Sequence, residues 1–130
     1  MNLWDFIRNN REFLDVYELT RVDLELREMI RAFPIRYSFR VFASVECHYC
    51  KLLVPHFWKT IENLQVTTDF IAWESYSDDE LNEIVDRYGL LALPTIIVYA
   101  LDGSELGRII RESRSGRLEQ DLVDIVRKSL

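Results

Sequence analysis

Between Arg36 and Leu64 the apolar residues change their spacing, and the change falls on the only two cysteines of the chain, Cys47 and Cys50. Tyr37, Phe39 and Val41 alternate with Arg36, Ser38 and Arg40, the period of a strand, and Phe42 and Ala43 stand at its buried end. From Cys47 to Leu64 the repeat becomes three and four, with Leu53, Phe57, Ile61 and Leu64 as the inward stripe of a helix. Pro55 lies inside that helix and removes one backbone donor, so a kink is expected there. A strand that hands over directly to a helix confines the chain to layered arrangements of sheet and helices. It also puts Cys47-His48-Tyr49-Cys50 at the amino end of the helix.

The remaining patterns extend that layout. Residues 1–34 read as helical: Leu19, Val22, Leu26, Met29, Ile30 and Phe33 form one apolar face, with Asn9 or Asn10 as the cap and Pro34 as the stop. Leu3, Trp4, Phe6 and Ile7 suggest a short helical turn before it. Asp69–Trp73 reads as a second strand, and Ser77 followed by Glu80 reads as a capping box. The helix opened there is expected to run to about Tyr88 and stop at Gly89. Thr95–Ala100 is an apolar, β-branched run of the kind buried on both faces. Asp102-Gly103 signals a hairpin that returns over Glu105–Arg111, and Leu118, Leu122, Ile125 and Val126 line a last helix. The fold class is α/β: a mixed central sheet of about four strands with helices on both faces, plus an extra N-terminal helix. With 130 residues the chain fits one globular unit, in which residues 1–34 are a helical extension packed on a domain of residues 35–130.

Composition excludes several classes of function. Sixteen Lys and Arg against 22 Asp and Glu give a net charge of −6, which argues against surfaces built for nucleic-acid phosphates or anionic lipid. No uncharged apolar stretch reaches the roughly 18 residues of a membrane span. The start, Met1-Asn2-Leu3-Trp4-Asp5, lacks the basic and apolar regions of an export signal. Two cysteines are too few for the disulfide framework of a small secreted domain. The expectation is a protein of a reducing compartment, the cytoplasm, with no nucleic-acid and no membrane partner.

The cysteine pair admits three readings. At a helix amino end the free N–H groups and the dipole favour an anion, and the thiolate is the form that attacks a disulfide. Two intervening residues bring the second sulfur within reach, so Cys47 is read as the attacking sulfur and Cys50 as the resolving one. Half of a zinc site is the second reading, but its other donors would have to come from His48 and His56, an awkward set within one chain. Two inert cysteines packed as small hydrophobes are the third.

Further residues narrow the choice. Lys51 and Pro55 follow Cys50, and Tyr88-Gly89 precedes Leu93-Pro94-Thr95. In these motifs and in the order of its elements the chain resembles the thioredoxin-like proteins over roughly residues 35–130. The resemblance implies a thiol–disulfide oxidoreductase that reduces protein disulfides, re-reduced by a dithiol or a reductase, with neither cofactor nor metal. It also implies a cis bond at Leu93–Pro94, facing the cysteines, so that the backbone of Leu93 can pair with an extended substrate strand. A binding or redox-sensing module with weak or no turnover is the alternative.

The chain also departs from that family. Glu46 replaces the usual Trp, His48-Tyr49 replaces Gly-Pro, and Val41 stands where a buried Asp often assists the resolving thiol. Slower resolution or another base is therefore expected, with Glu46 and His48 the nearest candidates. Protonated His48 favours a neighbouring thiolate and Glu46 opposes it. Tyr49 is expected to cap the disulfide sterically, and a glycine that helps substrates approach is replaced near Glu112. The N-terminal helix is expected to add packing on the sheet, with a homodimer contact through Trp4, Phe6 and Phe13 as the sharper reading.

Overall fold

The computed structural model describes residues 2–33 and 36–128. In chain order these form α1 (Leu3–Arg8), α2 (Arg11–Leu19), α3 (Leu24–Ala32), β1 (Tyr37–Ala43), α4 (His48–Ile61), β2 (Thr67–Ala72), α5 (Asp78–Tyr88), β3 (Thr95–Ala100), β4 (Glu105–Ile110) and α6 (Leu118–Arg127). A 3-10 turn, Trp73–Ser75, links β2 to α5. Strand order is β2-β1-β3-β4. β1 and β2 are parallel, from Ser38 opposite Thr67 to Ala43 opposite Ala72, and α4 is the crossover that a parallel pair requires. β3 runs antiparallel to both β1 and β4.

Strand alternation sets the layers. Phe39, Val41 and Ala43 of β1 and Ile96 and Val98 of β3 join one core with Leu53, Val54, Phe57 and Ile61 of α4 and Leu118, Leu122 and Val126 of α6. Phe42 and Ile97 belong to the opposite face, where Leu90 and the half-buried Ile84, Val85 and Tyr88 cover them. Burial on both sides is why β3 reads as one continuous apolar run. On the first face β4 comes so close to α6 that a Cβ on Gly107 would stand 3.1 Å from two side-chain carbons of Ile125. α5 starts with the Ser77–Glu80 capping box and stops at Gly89, whose φ of 62° suits a residue without a Cβ.

The N-terminal segment differs from the expected single long helix. The short turn expected first is α1, and the helix expected after it, which does start at Asn10, is two, α2 and α3, because the pattern breaks between Thr20 and Asp23. The Thr20 hydroxyl donates to the carbonyl of Val16, and the Asp23 carboxylate accepts the Leu26 N–H to start α3. The expected apolar face is accordingly split: Ile30 is buried, whereas Leu19 is 83% exposed. The stop assigned to Pro34, and with it the boundary between residues 34 and 35, lies outside the described residues; α3 ends at Ala32.

The three helices share the main core. Leu3, Phe6, Ile7, Phe13 and Ile30 are all buried in it. The ring of Phe6 lies 4.9 Å from that of Phe13 and 4.7 Å from that of Phe70 on β2. Lys59 of α4 donates to the carbonyls of both Tyr17 and Thr20 at 2.8 Å, closing the carboxyl end of α2. The dimer contact read through Trp4, Phe6 and Phe13 is corrected accordingly: Phe6 and Phe13 are turned into this chain's own core, and Trp4 is half-buried against Tyr17.

Smaller boundaries also move. β2 covers Thr67–Ala72 rather than Asp69–Trp73, because Trp73 already begins the 3-10 turn. α4 ends at Ile61, short of Leu64. β4 ends at Ile110, since Arg111 takes a φ of 69° that a strand cannot contain.

Candidate functional site

The handover from β1 to α4 places the cysteines. Cys47 is the N-cap of α4, its backbone still extended, and its Sγ accepts the Cys50 N–H at 3.2 Å. The sulfur thus takes the part usually played by a serine or aspartate oxygen in satisfying a free helix donor. The same thiol donates to the carbonyl of Leu93 at 3.4 Å. Both cysteines are free thiols, Cys47 partly exposed and Cys50 fully buried one turn behind it. Burial pushes the Cys50 thiol far up from its ordinary range. The hydrogen bond and charge of Cys47 and the charge of Glu74 add to the rise, while a backbone contact with Ser44 opposes it.

The segment before β3 faces the thiols. The Leu93–Pro94 peptide is cis, Pro94 is buried and Leu93 half-buried. Two hydrogen bonds fix this segment: the Thr95 hydroxyl donates to the Ala92 carbonyl at 2.7 Å, and the Arg111 N–H donates to the Pro94 carbonyl at 2.7 Å. Leu93 is therefore held against Cys47 from the sheet side.

Glu46, His48 and Tyr49, which flank Cys47 in the chain, are all exposed. The rings of His48 and Tyr49 are 6.0 Å apart, edge to face. The Arg111 guanidinium lies over the ring of Tyr49 at 5.5 Å. Val41, in place of a family carboxylate, is buried with the core apolar residues. Lys51 forms an ion pair with Glu12 of α2, which ties the N-terminal helices to the cysteine-bearing helix.

Two residues near the thiols escape the sequence patterns. Glu74 accepts hydrogen bonds from the Ser44 hydroxyl and, at 3.2 Å, from the Val45 N–H. It is the carboxylate whose charge acts on Cys50, a place the sequence offers to Glu46 or His48. The register could have found it: Ala72 pairs with Ala43, so residue 74 follows β2 where residue 45 follows β1. Arg111 is the second, one residue beyond Ile110, which pairs with Thr95.

His56 is turned away from the cysteines. Its Nε2 meets the buried Glu119 carboxylate of α6, so it is not a partner for a metal at Cys47 and Cys50. Among the described residues no group of three or more His, Cys, Asp or Glu side chains is placed to hold a metal ion.

No family model matches the sequence, and no curated protein sequence matches it either. Solved structures do match. A protein of unknown function from Pseudomonas aeruginosa superposes with a TM-score of 0.67 at 16% identity, over 92% of this chain and 84% of that one. An HIV epitope-scaffold gives 0.65 at 16% identity, over 92% and 80%. The NTD_N/C domain of alkylhydroperoxide reductase AhpF from Enterococcus faecalis gives 0.56 at 15% identity, over 87% of this chain and 51% of that one. The β2-β1-β3-β4 order, with a helix-start cysteine pair facing a cis proline, completes the arrangement. The fold is thioredoxin-like. In this thioredoxin-like fold helices α1–α3 bear on the same helix that carries the thiols, through the Lys51–Glu12 ion pair and the hydrogen bonds of Lys59.

Proposed function

We propose that the protein is a thiol–disulfide oxidoreductase that reduces protein disulfides. The observation that carries this reading is the placing of Cys47: a half-exposed thiol at the amino end of α4, hydrogen-bonded to the Leu93 carbonyl, with Cys50 buried one turn behind. Cys47, as thiolate, attacks one sulfur of a substrate disulfide. A Cys47–substrate bond forms, the substrate S–S bond breaks, and the departing sulfur takes up a proton. Cys50 then gives up its proton and attacks the Cys47 Sγ, which closes the intramolecular disulfide and releases the second substrate thiol. Two electrons pass to the substrate, and an external dithiol or a reductase returns them.

The environments of the two thiols suit this order. Burial keeps Cys50 protonated until the mixed disulfide exists, so only Cys47 is presented to substrate. The proton of Cys50 then needs an acceptor, and Glu74, anchored on Ser44 and Val45, is the carboxylate that acts on it. Leu93 offers backbone groups to an extended substrate strand. No helix among the described residues is long and apolar enough to cross a membrane, and disulfide reduction suits a reducing compartment such as the cytoplasm.

The strongly raised Cys50 thiol and the apolar Val41 of the same core also favour a second reading, a redox-sensing or binding module in which resolution is slow. One experiment separates the two. The Cys50→Ser variant is expected to trap a mixed disulfide with a disulfide-bonded protein through Cys47, and the wild type to turn over such a substrate with dithiothreitol. Trapping without turnover supports the sensing module. Absence of any Cys47 adduct overturns thiol exchange altogether.

A further inference from the structure

We infer that Arg111 and Tyr49 together select substrates that carry an acidic side chain next to the half-cystine attacked by Cys47. The inference rests on the thiol-exchange reading above and names the kind of peptide that site takes.

The backbone of Arg111 is fixed at the active site. Its N–H donates to the carbonyl of Pro94, so the residue is locked to the cis segment that also contacts the Cys47 thiol. Apart from glycines it is the one residue with a positive φ among those described, at 69°. A side chain in that region is disfavoured, and such outliers persist where the surroundings hold them. Its guanidinium is carried across to the ring of Tyr49, inside the Cys-x-x-Cys segment. Arg111 and Tyr49 therefore link the two sides of the site, the β4 end and the α4 start, beside the thiol.

The chemistry of that bridge is specific. A guanidinium over an aromatic ring spends one face on the contact, and its N–H donors lie along its edges. No salt bridge or side-chain hydrogen bond engages Arg111 among the described residues, whereas Lys51 of α4 is taken by Glu12. Its edge donors are free for a carboxylate, the group that a planar fork binds in pairs. His48, edge-on to the ring of Tyr49, adds a second cationic group when protonated. Glu46, next to Cys47 in the chain, and Glu112, next to Arg111, are opposing charges in the two segments, each exposed, and neither is paired with Arg111. The exposed Leu91, next to this segment, adds apolar surface for the rest of the peptide.

The test uses two synthetic peptides, each with one intramolecular disulfide, identical except for Asp or Lys beside one half-cystine. The rate of mixed-disulfide formation is measured with the Cys50→Ser protein. The Asp peptide is expected to react about fivefold faster than the Lys peptide at low ionic strength, the scale of one exposed ion pair. The ratio is expected to fall towards one in 0.5 M salt and in Arg111→Gln, and to survive in Arg111→Lys, which keeps the charge. Tyr49→Phe, with its ring intact, is expected to keep the ratio, and Tyr49→Ala to reduce it. Equal rates for the two peptides, or a ratio unchanged in Arg111→Gln, overturn the selection and leave thiol exchange standing. Absence of reaction with either peptide overturns thiol exchange itself and the selection with it.

Discussion

The thiol of Cys47 lies 3.4 Å from the carbonyl oxygen of Leu93 and 3.2 Å from the amide nitrogen of Cys50. As a thiol it donates to the first and accepts from the second. On losing its proton it keeps the amide bond and frees the Leu93 carbonyl for another donor. Cys50 has no such exposure and its thiol is pushed far upward by burial. Brief treatment of the reduced native protein with iodoacetamide at neutral pH is expected to label Cys47 alone. Mass spectrometry of the digested protein checks this, with label on both cysteines after unfolding as the control.

The charge of Glu74 opposes formation of the Cys50 thiolate, as like charges do. In a Cys47→Ser background, Glu74→Gln is expected to move the pH at which Cys50 becomes alkylatable downward. Loss of the anchor for Ser44 and Val45 is also expected to cost about 1 kcal/mol of stability. An unchanged alkylation profile with a lowered midpoint in urea would assign Glu74 to structure alone.

Glu119 makes stability pH-dependent. Burial pushes the Glu119 carboxyl up, but the His56 contact and the Asp23 amide outweigh it and hold it below the ordinary carboxylate range. A carboxyl lowered on folding stabilises fully above its unfolded value, near pH 4.3, and that contribution disappears as pH falls through the folded value. Glu119→Gln is expected to flatten the fall of Tm with acid below about pH 4.5. His56→Ala leaves the buried carboxylate short of a partner and is expected to cost about 1–3 kcal/mol at neutral pH.

Phe13 is 1% exposed and stacks edge-on to Phe6. Phe13→Ala is expected to cost about 3–5 kcal/mol, the cost of a truncated core ring. An exposed appendage would lose almost nothing, so chemical denaturation distinguishes the two directly.

The positive φ of Arg111 gives a backbone prediction separate from its charge. Glycine adopts that region freely and alanine does not. Arg111→Gly is expected to be more stable than Arg111→Ala by about 1 kcal/mol, measured by urea unfolding. The reverse order would place residue 111 in an ordinary strand conformation in solution.

The sequence shows most of this architecture because local chemistry and tertiary role agree there. The strand-to-helix change at Cys47, the Ser77–Glu80 box, the Gly89 stop and the apolar run of β3 each need only neighbours to be read. The N-terminal segment misleads because a repeat of three and four continues through a break set by two small polar side chains, Thr20 and Asp23. Glu74 and Arg111 come near the cysteine segment only through strand pairing, more than twenty residues away along the chain, and no local period encodes that. The buried Glu119 likewise looks like the solvated side of a helix until His56 is seen against it.

Lys59 caps a helix to which it does not belong, and its ammonium spans two carbonyls of the preceding polypeptide. Trimming the protein to sheet and flanking helices would strip that cation of its acceptors and open the hydrophobic wall behind Phe57 and Ile61 to water. A minimal version for engineering would need Lys59 and that wall redesigned together.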